Sequence, residues 1–219
     1  MTIDPTNAVI VENMNRTIPE AATMVALAGR QVARYASVAE EFAPLAAYTN
    51  MLFFVAQVDL DTRVLLRNLV ADPNARITSE KYLALALIEA ERGAGTLFNR
   101  LRGAANMQHG KLAGFIDIPS LQVAKDAFDS KLLPMREDKG FNQELTLIRN
   151  EVVAHFVSKE SGVENSAAWA VTRDSLPKGE DAILNSKIVE YSIALSHGLR
   201  ALSEGITASI RDWQSRNPA

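Results

Sequence analysis

An arginine, an asparagine, a glutamate and a histidine interrupt an otherwise apolar pattern in residues 145–156, "LTLIRNEVVAHF". Arg149 is a permanent cation whose planar fork of donors matches a phosphate or carboxylate. His155 carries an imidazole that titrates near neutral pH and can therefore give or take a proton during a reaction. Asn150 both donates and accepts hydrogen bonds. Glu151 stands four residues before His155, so a helix brings the two side chains together on one face. Arg149 lies about one and two-thirds helical turns from His155, and its long side chain can bend toward that face. One helix can thus hold a cation, a titratable ring and two further polar groups around a single pocket, while Leu145, Ile148 and Val152 fall on the side expected to be buried.

The elements around this segment read as helices almost throughout, with no convincing alternating run that would make a strand. A first long helix is expected from Pro19 to Phe42, because proline is tolerated in a first turn, and Pro44 is expected to end or kink it. A second, from Leu45 to Val70, sets Leu52, Val55, Val58, Leu65, Leu66 and Leu69 at core-like intervals and stops at "ADPNAR". Thr78 or Ser79 is a candidate cap for a third helix, "SEKYLALALIEAERGAGTLFNRLRGAANM". Residues 103–118, rich in glycine and small polar side chains, read as a mobile connection. Pro119 and Ser120 then open a fourth helix to Leu133, and "PMREDKG" breaks the pattern. The fifth helix, from Phe141 to Val157, carries the polar constellation. Residues 158–181 read as an irregular insertion, and the last long helix runs from Ala182 to Trp213 and carries Ile183, Ile188, Val189, Ile193, Leu195, Leu199, Leu202, Ile206 and Ile210. Apolar stripes of this length must bury one another, which makes an all-α antiparallel helical bundle with extra helices the expected fold. Residues 1–219 are read as a single helical domain with a loose N-terminal segment over 1–18.

Composition narrows the functions open to such a chain. Its 219 residues, 47% hydrophobic and 22% charged, suffice for a substantial core. A formal net charge of −3 means that no overall basic field draws in nucleic acid or an anionic membrane, so any RNA site must be local. The absence of cysteine removes disulfides, thiolate nucleophiles and the common structural zinc sites. The first residues lack the pattern of a signal peptide, and no run of about 20 apolar residues could span a bilayer. A cytoplasmic protein with no membrane partner is expected.

The segment "RNEVVAH" resembles the R-x(4–6)-H signature of the HEPN superfamily, in which a helical bundle carries the motif and a polar residue directly follows the arginine. Here five residues separate Arg149 from His155, Asn150 fills the polar position, and Ala154 in "AHF" resembles the small residue before the histidine in several HEPN groups. The bundle before the motif and the final helix after a loop also look like the longer HEPN proteins of abortive infection and toxin–antitoxin systems. The resemblance implies metal-independent RNA cleavage without a cofactor. His155 would be the general acid or base, Arg149 would stabilise charge on the phosphate, and Asn150 would orient either. It further implies a homodimer with two motifs facing one cleft, and an antitoxin or other protein as a second partner.

The alternatives stay open at the level of sequence. Arg149 and Glu151 can be ordinary exposed charges with His155 in contact with Glu151, in a non-catalytic helical module that binds or assembles with a partner. His109 beside Lys111 in "NMQHGK" is open to lining a substrate cleft but is expected in a solvent-exposed loop, and His197 is expected in a helix-surface or partly buried packing role. A di-iron bundle wants paired Glu-x-x-His motifs, and the spacing of Glu151 and His155 is wrong for it. Trp169 and its charged neighbours form no stacking platform for single strands.

Overall fold

Alanine, leucine and long unbranched side chains dominate the periodic stretches, and these lose little rotamer freedom in a helix. The computed structural model describes residues 5–36, 42–72, 75–148 and 178–217, and regular structure among them is entirely helical. The order is α1 (Pro5–Tyr35), α2 (Ala43–Ala71), α3 (Arg76–Asn106), α4 (Ile118–Glu137), α5 (Lys139–Leu147), α6 (Lys178–Ala208) and α7 (Arg211–Arg216), with one 3₁₀ turn over Gly110–Leu112. The fold is an all-α helical bundle. No described helix is long and apolar enough to cross a membrane.

Prolines account for the main differences from the expected boundaries. Pro19 lies inside α1 rather than at its start, so residues 5–18, expected to be loose, are helical. Pro44 sits in the first turn of α2, where its missing N–H has no helical partner to lose. Pro134 likewise lies inside α4, and the break comes at Asp138. Two aspartates cap α4 and α5. Asp117 Oδ2 accepts from the Ser120 amide at 2.9 Å at the start of α4, and Asp138 Oδ1 accepts from the Phe141 amide at 3.0 Å at the start of α5. Bonds from the Ser120 hydroxyl and amide hold the Asp117 carboxyl below its ordinary pKa. Helix α3 begins at Arg76, and Ser79, expected as its cap, is buried within it.

The described residues belong to two compact units, and the long helices contribute to both. The first unit is drawn from within Met1–Ile18, Asp61–Glu89 and Leu132–Ala194. Its core includes Leu66, Leu83, Leu87, Leu132, Met135, Phe141 and Ile188. Glu80 is fully buried there, with Arg76 Nε 3.7 Å from its carboxylate, and Arg67 donates to the Asn15 side chain.

The second unit is drawn from within Pro19–Leu60, Ala90–Lys131 and Leu195–Ala219. Phe128, Met51, Leu101 and Leu121 are fully enclosed, together with Leu195, Leu199, Leu202 and Ile206 of α6. Helices α4 and α6 approach closely in this unit because glycines face the partner helix. A Cβ at Gly205 would overlap the Cβ of Ala124 and lie 3.1 Å from its Cα, and one at Gly198 would lie 3.1 Å from the Phe128 ring. Phe115 joins two further aromatic rings edge-on, Tyr48 at 5.5 Å and Trp213 at 5.2 Å between centroids.

Residues 107–117, read from sequence as a mobile connection, are tied down at several points. The Gln108 side chain donates to the Ile116 carbonyl and accepts from the Ile116 amide, both at 2.9 Å, and the Asp117 amide donates to the Ser209 carbonyl at 2.8 Å. Gly110 and Gly114 take positive φ angles of 56° and 69°, which glycine reaches without strain. On α6, Ile193 is the apolar residue left exposed among those described. Ile188, Tyr191, Leu195, Leu199, Leu202 and Ile206 define the buried face at spacings of three and four, and position 193 is rotated away from it.

Candidate functional site

The helix leading into the motif is set by its N-terminus. Asp138 interrupts the chain between α4 and α5, and its carboxylate is the hub of a polar cluster in the first unit. Oδ1 accepts from the Phe141 amide, while Oδ2 meets Lys187 Nζ at 2.5 Å and accepts from the Tyr191 hydroxyl at 3.0 Å. Lys187 and Tyr191 stand four apart on α6, one helical turn, so a single carboxylate joins the start of α5 to a face of α6. The Phe141 and Tyr191 rings pack at 4.8 Å between centroids. Asn142 completes the junction, its side-chain amide donating at 3.0 Å to the carbonyls of Met135, Arg136 and Asp138. Of these, the Met135 carbonyl also accepts from the Asp138 amide at 3.3 Å and the Asp138 carbonyl from the Asn142 amide at 2.9 Å, so the Asn142 side chain reinforces the turn between α4 and α5.

Downstream of the cap, α5 turns Leu145 and Ile148 into the core, with relative exposures of 3% and 0%. This is the placement expected of the apolar positions that precede the motif. Arg149, Asn150, Glu151 and His155 themselves lie outside the described residues, as do Val152, Trp169 and the insertion up to residue 177. His109 is exposed just before the 3₁₀ turn that follows α3, its Nδ1 2.7 Å from the Met107 carbonyl, a geometry in which Nδ1 carries the proton. His197 is exposed on α6. Among the described residues no group of three or more His, Asp or Glu is placed to hold a metal ion.

The electrostatics of the Asp138 cluster give a pH dependence with a definite sign. The bond from Lys187, then that from the Phe141 amide, lowers the Asp138 carboxyl from its ordinary 3.8 to about 2. A carboxyl depressed in the folded state stabilises the fold above pH 4, and this contribution is lost as pH falls from about 4 to about 2. Tyr191 moves the other way, raised from 10.0 to about 12 by burial and then by the neighbouring Asp138. Its contribution is complete below pH 10 and is lost between about pH 10 and 12. After allowance for screening at a partly exposed side chain, the Asp138 contribution is ~1–2 kcal/mol. Asp138→Asn keeps a competent cap but loses the charge. It should lower stability at pH 7 by that amount and flatten the acid limb of a urea-denaturation series, whereas Tyr191→Phe should flatten the alkaline limb.

Sequence reasoning missed this cluster because its members are 49 and 53 residues apart, by subtraction of their positions 138, 187 and 191. Half of it was legible as an aspartate three residues before the first core phenylalanine of a helix. The chain matches no protein-family model, no curated protein and no solved structure.

Proposed function

We propose that the chain is a HEPN-like, metal-independent endoribonuclease acting in defence or stress response, with Arg149, Asn150 and His155 at its centre. The reading is carried by the motif "RNEVVAH", which follows directly in sequence on a helix whose Leu145 and Ile148 are core anchors in an all-α bundle. In this mechanism the ribose 2′-oxygen attacks the adjacent phosphorus and the 5′-oxygen leaves, forming a 2′,3′-cyclic phosphate. His155 accepts the 2′-hydroxyl proton or delivers one to the leaving oxygen. Arg149 holds the charge that grows on the phosphate oxygens with paired N–H donors, and Asn150 orients the ring or the phosphate. The requirement for a 2′-hydroxyl confines the reaction to RNA. A homodimer would place two such motifs at one cleft and supply local positive charge despite the acidic chain.

Incubation of the purified protein with RNA in excess EDTA is the direct test. Fragments ending in cyclic phosphate, with DNA of the same sequence intact, are expected. RNA that stays full-length at all protein concentrations would overturn the reading.

A second reading, a non-catalytic assembly module, draws on α1. Met24 and Leu27 stand one turn apart on that helix at 57% and 45% exposure, an apolar pair in solvent where a partner protein could seat. Under it the protein self-associates, or binds an antitoxin-like partner, and cleaves nothing.

A further inference from the structure

The second unit contains a groove of about 500 Å³ between α2 and α3. Its floor is the small-residue face of α2 at Ala43 and Ala47, its wall is the pair Phe53 and Phe54, and its polar groups include Asn50 and Arg100. Two helical glycines keep the rings out of the space. A Cβ at Gly93 of α3 would lie only 2.6 Å from Cε2 and Cζ of Phe54, and one at Gly29 of α1 would touch Phe53 at 3.4 Å. Glycine inside a helix costs about 1 kcal/mol relative to alanine. At position 93 that loss has a local return, since the Phe54 ring edge packs where a side chain would stand and the groove stays open.

The volume falls within the range of small-molecule sites, and such sites combine apolar walls with a few fixed polar groups. No acidic side chain lines the groove. Arg100 is exposed, and among the described residues neither it nor Asn50 is engaged in a hydrogen bond or ion pair. A wholly apolar occupant would cover the guanidinium without giving it an acceptor, and a cationic one would be repelled. The occupant that fits has an apolar body for the phenylalanine wall and one anionic head for Arg100, with the Asn50 amide as a second donor.

We propose that this groove binds a medium-chain amphipathic carboxylate, its head group paired with Arg100 and its chain laid along Phe53 and Phe54. The pairing is charge-assisted and geometrically matched to the guanidinium fork. Arg100 selects for the head group, and Gly93 sets the room for the chain.

Calorimetric titration of the full chain with decanoate, decanol and decylamine at pH 7 tests this. Decanoate should bind saturably at one site, about tenfold more tightly than decanol, and decylamine more weakly than either. Arg100→Glu, a surface change whose folding is checked by its thermal melt, should weaken decanoate by tenfold or more and leave decanol within about twofold. Gly93→Ala should push the Phe54 ring toward the groove and weaken both. Decanoate binding that is absent, non-saturable or insensitive to Arg100→Glu overturns the proposal, as does Gly93→Ala without effect on either probe.

Discussion

Replacement of His155 by alanine is expected to slow RNA cleavage by about 10²–10⁴-fold, the usual contribution of one positioned acid or base. The loss should fall on the chemical step, so that RNA binding measured in the variant stays close to that of the parent. Arg149→Lys is the more informative companion. Lysine keeps the charge but cannot reproduce the paired donors, so if bidentate contact with the phosphate matters the variant stays well below the parent. A rate that passes through a maximum between the acid and alkaline limbs is expected of two histidines with different duties in a dimer. Cleavage by His155→Ala at the parent's rate would assign the activity to another group or another protein.

The second large effect is expected at Gly205, which belongs to none of the proposed sites. A methyl group at this position would overlap the Ala124 side chain and press on its Cα, 3.1 Å away. Backbone cannot rotate aside as a flexible side chain can, so α4 and α6 must separate. The buried rows that hold them, including Leu121 and Phe128 on α4 and Leu199, Leu202 and Ile206 on α6, then lose contact. Gly205→Ala should therefore destabilise the protein by about 2–3 kcal/mol, even though alanine is the better helix former. The double variant Ala124→Gly with Gly205→Ala restores the space and should recover most of that loss in a denaturation midpoint. Recovery, rather than a further drop, marks a steric cause, because two independent glycine and alanine changes would add.

The pattern of the chain made the fold class readable, since apolar positions recur at three and four residues in almost every segment and nothing alternates. The helix ends were less readable. Pro19, Pro44 and Pro134 look like punctuation, yet each is accommodated within a helix. Asp117 and Asp138 carry the real start signals, but a single aspartate looks the same in a loop as at a cap until its N–H partner is in place. Ile193 stands outside the buried face because a helix rich in isoleucine and leucine has more apolar residues than that face needs. On the chemical side, "RNEVVAH" was conspicuous as a contiguous motif. Arg100 was not, for it becomes notable only when a distant stretch of alanines and phenylalanines lies beside it with room to spare.

The junction at Asp138 has a consequence for how the chain can be divided. Its cap, cation and phenol come from two segments that flank residues 149–177, and Ala124 and Gly205 form a second contact across the same interval. A polypeptide ending just after Ile148 and another beginning near Lys178 would each carry half of a matched set of polar and steric features. Co-expressed as separate pieces, they should find one another and co-purify, so that split-protein complementation becomes a practical way to replace the motif segment and leave the bundle's own recognition intact.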